Sequence, residues 1–343
     1  KRIMIKPKFQ LLTIRAFTAP SKFKQGRWFK PSFVFLSIAA TSTIVSISYL
    51  INSNVITKKP TELQNEYFIP YLISRRVVND PNHFILELTP QTPQKVNIWS
   101  QLTNRSLWSV EIKQPEIMVA RNYTPLPLKF VNDETDKLTV ISSKNETDNV
   151  NDGKLIIFVK NYDTGEVSKW LAQLPLNHTV EIRGPFVEYQ IQGQIDHINF
   201  FVAGTGIVSP LQLLLNPYTS GIQRPHVNLF YSSNDLQNEL GPLKNVLYNR
   251  LYDLAVKKHG LFQLWTFEDS KKQNISDMKN LKNFIKAVPP ASKLSDNNTL
   301  SLVCGPERYI ETIAGKKYDF SQGPVEGILG QKGWSNKNVF KLS

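Results

Sequence analysis

Four short sequence elements contain residues whose types and spacing suit the binding of phosphate-containing cofactors. They are Arg121-Asn-Tyr-Thr-Pro125, Gly165-Glu-Val-Ser168, Ala203-Gly-Thr-Gly-Ile207 and Cys304-Gly-Pro306. An arginine fork can pair bidentately with a pyrophosphate, and a tyrosine ring can lie against a flat aromatic ring system. Each element alone also suits an ordinary strand edge, helix cap or turn, so their fixed order along the chain carries the information.

The two glycine-containing elements each lie between a predicted strand and a predicted helix. Gly165 opens the helix EVSKWLAQL after the strand LIIFVKNY, so the first backbone N–H groups of that helix are placed to receive a phosphate. Gly204 to Gly206 follow the strand INFFV and precede SPLQLLL, where a glycine turn lets a dinucleotide approach the backbone. Cys304 ends a third apolar strand, and composition alone favours a buried small hydrophobic residue over a reactive thiol there.

Composition excludes several classes of function. The chain has 343 residues and a formal net charge of +13, but residues 1–30 contain nine Lys or Arg and no acid. The remainder holds 32 basic and 28 acidic residues, so we expect no nucleic-acid partner. The single cysteine and five scattered histidines rule out an internal disulfide framework and predict no metal site.

The N-terminal region has the pattern of a mitochondrial membrane anchor. Residues 1–30 are typical of a presequence, with a disordered basic tail as the alternative. Residues 31–51 are uncharged and long enough for a transmembrane helix, against the alternative of a buried globular helix. Residues 52–64 are predicted to be a linker. The positive-inside rule places the N terminus in the matrix and the C-terminal domains in the intermembrane space, on a single pass through the inner membrane.

The rest of the chain divides into two predicted domains. Residues 65–190 read as short strands separated by Asn, Asp, Gly and Pro clusters, among them EIMVARNYT at 116–124 and TVEIRGP at 179–185. This pattern predicts an antiparallel β-barrel in which residues 133–153 form an exposed loop. Residues 195–343 alternate strand and helix, which predicts an α/β domain with a mostly parallel sheet. Six Asn-x-Ser/Thr sequons would also suit a secreted protein, but Asn122 lies inside the first element, where a glycan would fill the cofactor cleft.

With all four elements in order, the chain resembles the ferredoxin-NADP reductase and cytochrome b5 reductase superfamily. The resemblance implies an FAD-binding barrel followed by an NAD(P)H-binding domain. It implies that FAD is bound by Arg121, Asn122, Tyr123, Thr124, Lys160, Gly165, Val167 and Ser168, with Thr124 near the reactive flavin nitrogen. It implies that NADH or NADPH is bound by Gly204, Thr205, Gly206, Cys304, Gly305 and Pro306, with Cys304 shaping the site of hydride transfer without acting as a nucleophile. Relatives usually have one residue between the Ile and the Pro of this turn, whereas Val208 and Ser209 both precede Pro210 here.

A closer resemblance is to fungal mitochondrial redox flavoproteins. It is carried by the stretch VNIWSQLTNRSLWSVEIKQPEIMVARNYTPLPLKF, by LVCGPERYI and by the tail GWSNKNVFKLS. It implies a membrane-anchored, FAD-dependent NAD(P)H reductase that delivers electrons to haem iron during covalent haem attachment to apocytochrome c, beside cytochrome c haem lyase. The alternative is an accessory module of haem attachment that uses the reductase fold without turnover. The sequence leaves open the choice between NADH and NADPH.

Overall fold

The computed structural model describes residues 60–142, 153–218, 225–236, 238–249, 262–268, 278–293, 298–318 and 321–342. Residues 60–343 form one compact unit. The predicted presequence and membrane span, residues 1–30 and 31–51, lie outside the described residues. Among the residues that are described, the helices are too short or too polar to cross a bilayer.

The N-terminal half of the unit is an antiparallel sheet. Its seven strands run in the order β4-β3-β9-β1-β2-β8-β5, and β6 and β7 form a separate hairpin. The elements of this half are β1 (Ile69–Asp80), β2 (His83–Pro90), α1 (Ile98–Gln101), β3 (Ser106–Gln114), β4 (Val119–Tyr123), β5 (Pro125–Leu126), β6 (Leu128–Phe130), β7 (Leu138–Val140), β8 (Leu155–Lys160), α2 (Glu166–Gln173) and β9 (Thr179–Gln190).

The two edges of this sheet meet at Thr124, which lies at the seam where the sheet closes. The two outermost strands, β4 and β5, are separated in the chain by Thr124 alone. Since one residue spans only about 3.3 to 3.6 Å, the two edges of the sheet must come together at this position. The sheet therefore curls on itself and presents the Arg-Asn-Tyr-Thr element where its edges meet.

Two predicted segments differ from the structure. Residues 133–153 were expected to be an exposed loop, but Leu138–Val140 form β7 and pair with β6, because a short run of Leu, Thr and Val suits an extended conformation. The strand predicted to end at Pro185 continues to Gln190 as β9. It keeps pairing with β3 across a register shift beside Gly184, whose φ of 147° a residue with a side chain rarely adopts.

The C-terminal half is a parallel five-stranded sheet in the order β12-β11-β10-β13-β14. All residues of β13, and nearly all of β10, are buried, as expected when helices cover both faces of a parallel sheet. The elements of this half are β10 (His197–Ala203), a 3-10 turn (Gly204–Ile207), α3 (Val208–Leu215), β11 (His226–Ser233), α4 (243–249), β12 (Phe262–Glu268), α5 (Met278–Ala287), a 3-10 turn (Ala291–Lys293), β13 (Thr299–Cys304), α6 (Glu307–Ala314), α7 (Gly327–Gln331) and β14 (Val339–Lys341).

The two sheets share one hydrophobic core. Ile85, Leu126 and Phe158 of the antiparallel sheet belong to the same buried cluster as Phe200 and Leu211 of the parallel half. Polar side chains reinforce this contact. The Asn216 side chain donates to the carbonyl oxygen of Leu102 at 2.7 Å, and the buried side chain of Gln212 bonds to β3 and β5. The relative placement of the two sheets is therefore fixed by packing as well as by directed hydrogen bonds.

Candidate active site

A cavity of about 390 Å³ lies between the two sheets and gathers all four sequence elements. Of the fourteen residues predicted for the site, thirteen line this cavity and Gly204 does not. The predicted residues that line it are Arg121, Asn122, Tyr123, Thr124, Lys160, Gly165, Val167, Ser168, Thr205, Gly206, Cys304, Gly305 and Pro306. Five further residues complete the wall, namely Phe158, Val159, Tyr162, Glu166 and Val208. The volume lies within the range of about 300 to 1,000 Å³ that is usual for cofactor sites.

On the antiparallel side, β4 supplies a cation and a phenol to this cavity. The Arg121 side chain is 60% exposed, and its Nη2 lies 3.5 Å from Oε2 of Glu166. Tyr123 is half-buried against the core of the antiparallel sheet. Burial raises the pKa of the Tyr123 phenol, although the nearby Arg121 opposes that shift. The phenol therefore stays neutral at physiological pH, which suits contact between its ring and an uncharged aromatic group.

The start of α2 forms the second wall. Gly165 is the N-cap residue and has no side chain with which to satisfy the first N–H groups of the helix. A Cβ atom at position 165 would lie 2.4 Å from Oγ of Ser168, so a larger residue here would have to displace that hydroxyl. The Gly165 N–H donates to the carbonyl oxygen of Tyr162 at 2.9 Å, which turns the chain sharply into the helix. The first amides of α2 therefore border the cavity in a geometry that favours an anion.

The parallel side supplies the ends of β10 and β13, which are neighbours at the point where the strand order reverses. Val202 pairs with Cys304, so the Gly-Thr-Gly turn and the Cys-Gly-Pro turn leave the sheet side by side. A Cβ atom on Gly206 would lie 2.6 Å from the carbonyl oxygen of Cys304. Carboxyl ends of parallel strands at such a switch point are where nucleotides bind in α/β sheets. Gly204 has a φ of 53° and turns the chain out of β10.

The additional residue before Pro210 leaves this turn intact. The 3-10 turn Gly204–Ile207 continues directly into α3, and Pro210 lies in the first turn of that helix. Proline is tolerated there because the first N–H groups of a helix have no partner within it. The same spacing lets the Ser209 hydroxyl donate to Sγ of Cys304 at 3.5 Å.

The Cys304 thiol lies at the junction of the two turns and is 7% exposed. Burial raises its pKa to about 11, and the Ser209 hydroxyl opposes the shift. The charges of Glu188 and Lys317 act in opposite directions on it. The thiol is therefore protonated at neutral pH, which suits a shaping role in the cavity and disfavours a nucleophilic one.

Lys160 and Tyr162 lie at the mouth of the cavity. Lys160 ends β8, and its Nζ lies 5.3 Å from the centre of the Tyr162 ring. Tyr162 and Thr205 both line the cavity, so the end of the antiparallel half and the Gly-Thr-Gly turn meet in it. Burial raises the pKa of the Tyr162 phenol, and the Thr205 side chain opposes that rise.

Tyr162, Glu166 and Gln212 were missed by sequence reasoning. Tyr162 and Gln212 act on partners far away in the chain, and no local pattern indicates such contacts. Glu166 lies inside the second element, where its acidic character beside a phosphate-binding turn was a usable signal. Phe340, to which no role was assigned, packs against Tyr189 with ring centres 4.6 Å apart and is not among the lining residues of the cavity.

A second cavity of about 510 Å³ adjoins the first, and Lys160 lines both. Asp80 and His83 of the β1–β2 turn line it, as do Asp235 and Glu239 from the loop after β11. Nδ1 of His83 lies 2.9 Å from Oδ2 of Asp80. Carboxylates and amides therefore dominate this second cavity.

Comparisons with known proteins agree with this architecture. A family described as an oxidoreductase FAD-binding domain matches residues 130–191. The chain is 37% identical to the cytochrome c mitochondrial import factor of Saccharomyces cerevisiae over 373 residues, covering 97% of each chain. It is 29% identical to the NADH-cytochrome b5 reductase 2 of Yarrowia lipolytica over 194 residues, covering 55% of this chain and 64% of that protein.

Among solved structures, the chain is similar to the cytochrome b5 reductase domain of Ulva prolifera nitrate reductase. The TM-score is 0.52 at 15% identity, covering 82% of this chain and 100% of that one. This likeness bears on the fold alone. The expected fold class, an antiparallel FAD-binding domain followed by a parallel-sheet domain, is confirmed for these two parts.

Proposed function

This chain belongs to the family of the yeast cytochrome c mitochondrial import factor, and on that premise we propose that it is an FAD-dependent NAD(P)H reductase. The proposal rests on the cavity of about 390 Å³ between the two sheets. In it, the Arg-Asn-Tyr-Thr and Gly-Glu-Val-Ser elements of one half meet the Gly-Thr-Gly and Cys-Gly-Pro elements of the other. A hydride-transfer enzyme needs such a meeting of two cofactor sites.

The residues on the antiparallel side fit FAD. The Arg121 guanidinium and the first amides of α2 offer a cation and N–H donors to a pyrophosphate. Gly165, the N-cap residue, has no side chain that would occupy the first N–H groups of α2 in place of that pyrophosphate. The neutral ring of Tyr123 supplies an apolar surface for the isoalloxazine, and Thr124 supplies a hydroxyl at the seam of the sheet.

The residues on the parallel side fit a nicotinamide dinucleotide. Thr205 and Gly206 line the cavity at the glycine turn after β10, and Cys304 gives it a small, neutral, polarisable wall. Lys160, which the resemblance assigns to FAD, lines both cavities, so a dinucleotide that extends from the first into the second would pass the same cation. The acidic lining of the second cavity favours NADH, which lacks a 2′-phosphate, over NADPH. The Yarrowia relative is named as an NADH-dependent reductase.

Bound FAD accepts a hydride and can release electrons singly, so it connects a two-electron donor to a one-electron acceptor. With both groups bound, the residues lining the cavity would hold the nicotinamide against the flavin, where close approach of the two rings favours hydride transfer. The packed interface between the sheets suits this task because Gln212 and Asn216 fix one half against the other.

We further propose haem iron as the acceptor, during covalent haem attachment to apocytochrome c. The support is the family relation to a factor named for cytochrome c import into mitochondria. Cytochrome c haem lyase, apocytochrome c and haem are then the partners. Residues 31–51 would anchor the protein in the inner membrane with the C-terminal domains in the intermembrane space. Protease added to mitoplasts should digest those domains, and digestion only after matrix lysis would overturn the topology.

Measuring turnover distinguishes the proposed reductase from the alternative, an accessory module of haem attachment without catalysis. The full chain, purified in detergent, should contain FAD and should catalyse NADH-dependent reduction of ferricyanide and of ferric haem. Apocytochrome c saturated with haem should be reduced by the same preparation. Flavin-containing protein that turns over none of these acceptors would support the accessory module, and protein unable to bind FAD would overturn the cofactor assignment.

A further inference from the structure

Glu166 places a carboxylate at the phosphate-binding end of the candidate flavin site. It is the first residue of α2, and its Oε2 lies 3.5 Å from Nη2 of Arg121. Both side chains line the cavity and both are more than half exposed, at 55% and 60%. The cation proposed for the flavin pyrophosphate therefore already has an anionic partner within the chain.

A carboxylate and a phosphate compete for the same donors. Both are oxygen anions that a guanidinium fork binds, and both are favoured at the positive end of a helix. Glu166 is the first residue of α2, so its carboxylate lies next to both Arg121 and the helix N-terminus proposed to bind the pyrophosphate. A pyrophosphate that approaches these groups must displace the carboxylate from Arg121 and must then remain near its negative charge.

We propose that Glu166 is an internal competitor for Arg121 and thereby sets how tightly the chain retains FAD. This inference rests on the proposed function, because it assigns Arg121 to the flavin pyrophosphate. With the carboxylate present, FAD binding is weakened and depends on ionic strength. The chain is then a flavoprotein whose cofactor exchanges more readily than its contacts with the pyrophosphate alone would allow.

The size of the effect follows from the exposure of the pair. Exposed ion pairs are weak, so releasing Arg121 from Glu166 should strengthen FAD binding about twofold to fivefold at low salt. At an ionic strength of about 1 M the screening length falls to about 3 Å, and most of the gain should disappear. If Glu166 serves only to stabilise the N-terminus of α2, its neutralisation should weaken the helix slightly and leave FAD affinity unchanged.

The test is a titration of flavin-stripped full chain with FAD, followed by quenching of flavin fluorescence. Wild type is compared with Glu166→Gln, Arg121→Ala and the double variant, at low and high salt. Glu134→Gln is the control, since Glu134 is exposed on a loop and is not among the residues lining the cavity. Thermal unfolding of each apo-protein separates changes in folding from changes in affinity.

We expect Glu166→Gln to lower the Kd for FAD at low salt, Arg121→Ala to raise it, and Glu134→Gln to leave it unchanged. The gain from Glu166→Gln should be clearly smaller in the Arg121→Ala background, because only the repulsion between carboxylate and pyrophosphate remains once the guanidinium is gone. An unchanged or raised Kd in Glu166→Gln, or an equal gain in both backgrounds, would overturn the inference while the proposed function stands. Wild type that binds no FAD would overturn both.

Discussion

The side-chain amide of Gln212 donates to the carbonyl oxygen of Pro125 at 2.9 Å, and so joins the helix after the Gly-Thr-Gly turn to the residue after Thr124. The same amide nitrogen donates to the carbonyl oxygen of Trp108 at 2.9 Å, and the Gln212 carbonyl oxygen accepts from the Trp108 N–H at 3.0 Å. Gln212 is 1% exposed. One side chain thus holds β3 and β5 of the antiparallel sheet against α3 of the parallel half.

Gln212→Leu should therefore both destabilise the fold and slow flavin reduction. The substitution leaves the Trp108 N–H and the carbonyl oxygens of Trp108 and Pro125 buried without these hydrogen-bond partners. This should lower the free energy of unfolding by on the order of 2 to 5 kcal/mol. Urea denaturation measures this loss. Gln91→Leu is the matched control, because Gln91 makes an exposed bond to Thr179, and its effect should stay within about 0.5 kcal/mol. Equal losses in the two variants would contradict a special role for Gln212.

The second cavity predicts a preference for NADH. A 2′-phosphate carries close to two negative charges and would meet the carboxylates of Asp80, Asp235 and Glu239. We expect kcat/KM for NADH to exceed that for NADPH by about tenfold or more, a difference of about 1.4 kcal/mol. Asp235→Asn should lower the ratio of kcat/KM for NADH to kcat/KM for NADPH. Asp133→Asn, on an exposed loop, should leave this ratio unchanged. Steady-state kinetics with both donors would refute this if wild type preferred NADPH.

Cys304→Ala should slow hydride transfer without loss of FAD, because Arg121 to Thr124 lie in the other sheet. A misplacement of the reacting atoms by near 1 Å can cost about 100-fold in rate. Anaerobic stopped-flow reduction, normalised to bound flavin, measures the effect. Val303→Ala is the control, since Val303 is a fully buried neighbour outside the lining of the cavity. It should lower stability yet keep the wild-type rate. A wild-type rate in Cys304→Ala would make Cys304 a packing residue only.

The raised pKa of Cys304 predicts a pH dependence of stability. The folded chain keeps the thiol proton up to a pKa of about 11, whereas an unfolded thiol loses it near 9.0. The unfolded state therefore binds fewer protons between these values, so stability that is fully present below pH 9 decreases as pH rises toward 11. The contribution is roughly 2 to 3 kcal/mol. Denaturation across this range should show a shallower decrease in Cys304→Ala, and parallel slopes would contradict the shift.

Much of the fold was predictable because its signals are local. The apolar run at Ile198–Ala203 and the run at Leu300–Cys304 predicted strands of a parallel sheet, and both form inner strands of that sheet. Glu116–Thr124 was predicted as one strand, but β4 begins only at Val119, because Met118 has a φ of 56° in a turn. A positive φ is uncommon in residues other than glycine, so the sequence around Met118 does not indicate this turn.

The unpredicted parts of the site depend on contacts between distant residues. The position of Thr124 at the seam follows from the order of seven strands, which periodicity does not determine. The three bonds of Gln212 join the two halves of the chain, and Tyr162 and Thr205 from different halves line the same cavity. Only the resemblance to reductases brought the four elements together before the structure did.

The anaerobic reaction of the flavin with NADH tests the central claim most directly, namely that the cavity between the sheets is where a hydride passes from nicotinamide to flavin. Purified full chain carrying FAD is mixed with NADH in the absence of oxygen and of any acceptor, and the flavin absorbance is followed. We predict that the yellow colour bleaches with one NADH consumed per FAD, and more slowly when the transferred hydrogen is deuterium. Protein that carries FAD and stays yellow under excess NADH and excess NADPH would contradict the account.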